Sequence, residues 1–198
     1  GVADLKVVFR GRSAHAGNNP QDGANANVAA MRFSLACYEL ADPAKGTTVN
    51  PGIIAGGTAT NVIPDSCEVR FDLRYCFDKD GSDLEIFELA ERSWAPGVSQ
   101  TVELLGFTPA MPLSDDAKAL TAKITEAAKM TGFEAKFVDA GGGSDGNRIA
   151  KAGIPVIDGC GPAGASIQSV NTCDWTRWKS ASRCSPTSLA CSEHRPPI

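Results

Sequence analysis

The chain has 198 residues, 42% of them hydrophobic, enough to bury one sizeable core or two small ones, which excludes a disordered polypeptide. Nineteen Lys and Arg against 23 Asp and Glu leave a formal net charge of −4, too evenly mixed to steer the chain to nucleic acid or to an anionic membrane surface. No apolar run approaches the ~18 residues that a membrane-spanning helix needs.

The chain opens on Gly1-Val2-Ala3-Asp4 with neither an initiator Met nor a signal-like segment, so either the start is trimmed or sequence precedes it. Residues 4–10, with Leu5, Val7 and Phe9 on one face, predict a strand, and a polar loop follows through Gly17 to Gly23. Residues 25–40 lack Pro and Gly and space Val28, Met31, Leu35 and Tyr38 as a helix does; Pro43 and Gly46 close it. Residues 48–54 are β-branched enough for a strand, and Pro51 within them points to an edge or a bulge. Cys67, Val69, Phe71 and Leu73 alternate strictly with Glu68, Arg70, Asp72 and Arg74, a half-buried strand. Leu84, Phe87, Ala90 and Trp94 give a second amphipathic helix, and residues 98–105 a fourth strand. The order β-α-β-β-α-β is the ferredoxin-like plan of one sheet covered by two helices, within an α/β (α+β) chain.

Residues 106–112 contain Pro and form the expected domain boundary. Beyond them Ser114 caps a helix with two Asp in its first turn, Leu120, Ile124 and Ala127 on one stripe and Gly132 as its stop. Residues 133–138 read as a strand, 144–152 as a short helix ended by Gly153, and 154–157 as a second, buried strand. That is half of an α/β layer, not an independent fold.

Seven Cys, at 37, 67, 76, 160, 173, 184 and 191, form an odd set without C-x-x-C, which fits neither a disulfide framework nor a zinc ribbon and leads us to expect the reduced thiols of a cytoplasmic protein. Three segments could carry chemistry. His15 sits in G-R-S-A-H-A-G; the nucleophile-elbow pattern fails there because His15, not Gly, stands two residues after Ser13. G-G-T-A-T-N-V-I-P-D at 56–65 joins two strands and holds Asn61, while Arg74 ends the alternating strand; taken singly, each fits turn or sheet chemistry. G-G-G-S-D-G at 141–146 formally satisfies G-x-G-x-x-G and keeps a nucleotide- or phosphate-binding alternative open, although Asp158 comes too early for a dinucleotide fingerprint.

Taken in order, G-R-S-A-H-A-G, V-N-P-G-I-I-A-G-G-T-A-T-N-V-I-P-D, V-R-F-D-L-R-Y, G-G-G-S-D-G and G-I-P-V-I-D-G-C-G-P resemble the M20 family of zinc-dependent carboxypeptidases and aminoacylases, and most of all its glutamate carboxypeptidase branch, over residues 5–169. The resemblance implies a ferredoxin-like dimerisation insert at 1–107 and the C-terminal part of the catalytic domain at 108–171. The first half of that domain, with most of the ligands to two zinc ions, would precede Gly1. It implies a homodimer and a small amino-acid or peptide substrate, with hydrolysis of an amide bond beside a free carboxylate, as in a C-terminal glutamate or an N-acyl amino acid. His15 matches a histidine that reaches the partner's site and donates to the substrate carbonyl as it becomes an oxyanion. Asn61 and Arg74 match residues that hold the substrate carboxylate, and Gly142 and Gly143 match a loop that lets substrate approach the backbone.

Two departures stand out. The position where the family supplies a zinc-binding His holds Gln168, a poor ligand, so the chain as written is expected to bind no zinc and to be inactive. Residues 172–198 hold three Cys, two of the three Trp and no helical stripe where the family has an amphipathic helix. Read one frame over, residues 172–181 can encode Leu-Arg-Leu-Asp-Ser-Leu-Glu-Glu-Arg, so a frameshift near 168–172 is the expected origin of this tail, and His194 is given no role. The reading from another class is a self-association module that catalyses nothing.

Overall fold

The computed structural model describes residues 1–76, 85–111, 113–130, 132 and 134–159. The first elements are β1 (Val2–Arg10), a two-residue β2 (Ala14–His15), α1 (Ala26–Tyr38), β3 (Thr48–Gly56), a two-residue β4 (Val62–Ile63), β5 (Ser66–Arg74), α2 (Glu85–Ala90) and β6 (Ser99–Thr108). The four long strands form one antiparallel sheet in the order β3-β5-β1-β6, and β2 pairs with β4 apart from it. Two helices and a sheet in which the first and third long strands are central make the expected ferredoxin-like plan.

Period-two alternation decides which face is covered. Ala3, Leu5, Val7 and Phe9 of β1 and Cys67, Val69, Phe71 and Leu73 of β5 are buried, while Lys6, Glu68, Arg70 and Asp72 point the other way. Opposite the buried face lies α1, started by Asn25, whose side-chain oxygen accepts from the Val28 amide at 3.1 Å. Its buried stripe is Ala26, Ala29, Ala30, Phe33, Ser34 and Cys37. The small residues let the helix backbone come close to the sheet, and Phe33 fills the centre, edge-on to Phe9, Phe71 and Trp94 at 5.5, 5.8 and 5.6 Å between ring centroids.

The stripe that made this segment legible as a helix is therefore not its core face. Met31, Leu35 and Tyr38 are 51, 66 and 59% exposed. In α2 likewise Ile86 and Leu89 are the buried residues, with Phe87 and Ala90 half-buried; the helix ends at Ala90, so the half-buried Trp94 follows it, and Leu84 lies outside the described residues. Pro51 behaves as expected. It sits on an edge strand, and the register with β5 shifts between Pro51 and Ile53.

The described residues divide into two compact units: Gly1–Leu113 with Asp139–Pro155, and Ser114–Val138 with 156–159. Where a boundary near residue 107 is expected, the first unit runs through Leu113 and takes in the glycine loop and α4 (Asp145–Lys151). Side-chain bonds explain this: Asn147 Nδ2 donates to the Pro109 carbonyl at 2.9 Å and Arg148 Nη2 to that of Phe107 at 3.4 Å. The second unit holds α3 (Asp115–Met130), where Ser114 Oγ accepts from the Ala117 amide at 3.1 Å and Gly132, at φ 73°, ends the helix. Its buried positions are Ala117 and Ala128; Ala127, expected on the stripe, is exposed.

The strands expected at 133–138 and 154–157 are not formed among the described residues. A buried parallel strand exists only through its neighbours, and no described strand pairs with either segment. Gln168 and the tail at 172–198 lie outside the described residues.

Candidate functional site

The candidate residues fall into two groups at opposite ends of the sheet. At one end β1 passes Arg10 and turns through Gly11, where the Ala24 carbonyl oxygen would lie 2.0 Å from any Cβ, so only glycine fits. The segment then pairs with the 56–65 connection: Ala14 and His15 face Ile63 and Val62, and the Ala16 amide donates to the Asn61 carbonyl at 2.9 Å. This two-residue ladder, which the sequence reading treats only as loop, places His15 beside Asn61. Both side chains are exposed.

The His15 ring is fixed locally. Its Nδ1 accepts from the amides of Gly17 and Asn18, each at 3.1 Å, and the Asn19 amide closes the same turn on the His15 carbonyl at 3.1 Å.

Arg74 lies at the other end, where β5 faces Val2 of β1. Its Nε and Nη2 donate to the two carboxylate oxygens of Asp72, both at 2.6 Å, and its Nη1 donates to the Gly141 carbonyl at 3.2 Å. Hydrogen bonding to Asp72, with its charge and that of Asp4, holds the guanidinium pKa above its ordinary value despite partial burial. One edge of the planar fork is thus occupied by Asp72, Nη1 also holds the glycine loop, and the Arg74 side chain lines a cleft of about 540 Å³. Val2, Thr108, Gly143, Ser144, Asp145 and Arg148 complete the lining. Asp72 is the partner of Arg74 that patterning alone does not single out; its signal is an acid two residues before Arg74, on the same face of an alternating strand.

Gly143 is confined, for a Cβ there would meet Val2 Cγ2 at 2.8 Å, whereas Gly142 has open space around it. The first amides of α4 are engaged by a capping box: Gly146 N–H donates to Ser144 Oγ at 3.1 Å, and Ser144 N–H to Asn147 Oδ1 at 2.9 Å. An anion at this helix start would have to displace them, and residues 134–140 form no strand ahead of it, as a dinucleotide fingerprint requires.

From Val2 to Arg10 the strand has nine residues, whose eight steps span roughly 26 Å at ~3.3 Å each, and it separates Arg74 and the glycine loop from His15 and Asn61. A single copy of the chain does not bring all five residues together. Nor do the described residues fit a metal centre: among them no three of His, Cys, Asp and Glu converge as cation ligands.

A four-stranded antiparallel sheet in the order β3-β5-β1-β6, with two helices in a β-α-β-β-α-β succession of its long elements, defines a ferredoxin-like domain. Residues 1–93 match the family model described as a peptidase dimerisation domain of M20 type. Over 175 residues the chain is 31% identical to carboxypeptidase G2 of Pseudomonas sp. (strain RS-16), a match that covers 85% of this chain and 41% of that protein. Over 130 residues it is 29% identical to a succinyl-diaminopimelate desuccinylase of Marinobacter nauticus, covering 64% of this chain and 33% of the relative. Among solved structures it is similar to aminopeptidase PepT from Bacillus cereus ATCC 10987, with a TM-score of 0.63 at 28% identity over 78% of this chain and 42% of that one. The chain thus spans about two fifths or less of the length of these relatives.

Proposed function

We propose that this chain carries the pairing unit and the substrate-holding contacts of a homodimeric hydrolase that cleaves an amide bond next to a free carboxylate, such as an N-acyl amino acid or a peptide ending in glutamate. The observation that carries the reading is the separation of the two groups of residues: His15 and Asn61 of one protomer serve the site that Arg74, Gly142 and Gly143 build on the other. Arg74, held by Asp72, presents the end of its fork to the substrate carboxylate, and the glycine loop leaves room for substrate against the backbone. His15 donates a hydrogen bond to the carbonyl oxygen as negative charge builds there, a contact that strengthens toward the transition state and so acts on the rate. The relatives' names, a carboxypeptidase and a desuccinylase, are in keeping with such a bond. The family's two zinc ions would supply the attacking water; the described residues offer no centre for them.

Pairing runs through the outer face of α1 and the edge of β3, where Met31, Leu35, Tyr38, Ile53 and Ile54 form an apolar surface about half or more exposed. The test is a mixing assay on the hydrolase that contains this segment. His15→Ala and Arg74→Ala each lower hydrolysis of N-acyl glutamate about 100-fold or more. Co-expressed, they restore up to roughly a quarter of the activity, because half of the dimers are mixed and each of these holds one intact site. No recovery in mixed dimers would place both residues in the same protomer's site and refute the composite arrangement.

A further inference from the structure

The turn after His15 is closed on one of its two ring nitrogens. A neutral imidazole has one donor and one acceptor nitrogen. Nδ1 receives two N–H donors, from Gly17 and Asn18, and a proton on Nδ1 would point at both of them. The main chain of the same turn is closed by Asn19 N–H on the His15 carbonyl, and the ring lies over Gly17, where an added Cβ would sit 3.6 Å from Cε1 and 3.7 Å from Nδ1. Among the described residues no hydrogen bond to Nε2 is present, and the side chain is exposed.

We propose that the His15–Asn19 turn is a tautomer lock: the backbone amides of Gly17 and Asn18 are positioning groups that hold neutral His15 with its proton on Nε2, making it a dedicated hydrogen-bond donor and not a general base. The role of that donor rests on the composite site proposed above; the lock itself does not. With Nδ1 occupied and Nε2 protonated, the ring has no lone pair to offer a substrate or a water and can only donate, which suits a carbonyl oxygen becoming an oxyanion. It also explains how an exposed histidine on a two-residue ladder is aimed without a carboxylate behind it. The chain's own backbone takes the place that an acid fills in a catalytic triad.

The test is nitrogen NMR on the uniformly ¹⁵N-labelled chain, about two pH units above the ordinary imidazole value of ~6.5. His15 is distinguished from the second histidine by comparison with His194→Gln. Two hydrogen bonds of ordinary net strength shift the tautomer ratio toward Nε2–H by roughly 30-fold relative to the same chain in urea. The Nδ1 and Nε2 resonances therefore reach their limiting acceptor and donor positions, and a through-hydrogen-bond ¹⁵N–¹⁵N coupling links Nδ1 to an amide of Gly17 or Asn18. Asn18→Pro removes one donor and returns the ratio about 5-fold toward the urea value; should that variant not fold, the unsubstituted chain decides alone. A proton on Nδ1, or a ratio equal to that in urea, overturns the lock. Neither result touches the mixing assay, so failure of the lock and failure of the composite site are read separately.

Discussion

Burial chemistry at single residues is measurable in this chain independently of any substrate. Cys37 is fully buried on the inner face of α1, and burial pushes its thiol up to about 12. In the unfolded chain the thiol ionises near its ordinary value of ~8.5, so between that value and about 12 unfolding releases a proton that the folded state retains. The contribution is whole below the ordinary thiol value and is lost as pH rises toward the folded-state value. Cys37→Ala removes this dependence while leaving a small cavity. The variant is therefore less stable than the parent near neutrality, and the gap closes by up to about 1.4 kcal/mol per unit as pH rises above ~9. Urea unfolding of both chains at a series of alkaline pH values measures the gap; a constant gap would show that the thiol is not held protonated. Arg74 shows the complementary case, in which a charged form is secured by a partner. Its identity was readable from the D-L-R spacing of the strand, but its orientation was not, because the carbonyl it touches at Gly141 is 67 residues away in sequence.

At the scale of elements, α1 separates what patterning reveals from what packing decides. The sequence shows one apolar stripe of large residues at helical spacing, sufficient to identify a helix, yet the side that meets the sheet is the small-residue stripe centred on Phe33. Alanines give little hydrophobic contrast along the chain, so the inner face was hard to read even though it makes closer contact. The prediction is a difference within one helix. Phe33→Ala empties the centre of the aromatic cluster and costs ~3–5 kcal/mol, whereas Leu35→Ala, two residues on and 66% exposed, changes monomer stability by less than ~0.5 kcal/mol. Denaturant midpoints of the two variants at low protein concentration test this; equal costs would mean that the inner and outer faces are misassigned. Strands with period two were legible because alternation and burial coincide, and the edge position of β3 was legible from Pro51. The segments at 134–138 and 154–157 are apolar enough to read as strands, but a strand is a property of its neighbours, and those are not among the described residues. The β2–β4 ladder was missed for the opposite reason: two residues are too few to show any period, and it is this ladder that brings His15 to Asn61.

For the whole molecule, the proposed pairing accounts at once for the division of the candidate site and for the uncovered face of α1. In the pairing proposed above, a protomer that keeps Arg74 and His15 at opposite ends of its sheet would gain a complete set from a second copy, and the face proposed to receive that copy carries the exposed Met31, Leu35, Tyr38, Ile53 and Ile54. The antiparallel edge of β3, unpaired among the described residues, offers main-chain hydrogen bonds beside this apolar surface. A two-fold arrangement satisfies both at once, because each protomer presents the same patch and receives it. Leu35→Arg tests the arrangement at the centre of the exposed stripe. The residue contacts no core, so helix content and unfolding of the isolated protomer are unchanged, but two guanidinium groups would be brought together across the symmetric contact. Sedimentation velocity over a dilution series should show the parent chain as a dimer and the variant dissociating at about 30-fold higher concentration or more. The addition of Ile54→Glu should leave only monomer. If the single and double variants sediment as the parent does, the pairing surface lies elsewhere. A parent chain that remains monomeric at every concentration would mean that residues beyond this segment are needed to hold the two copies together.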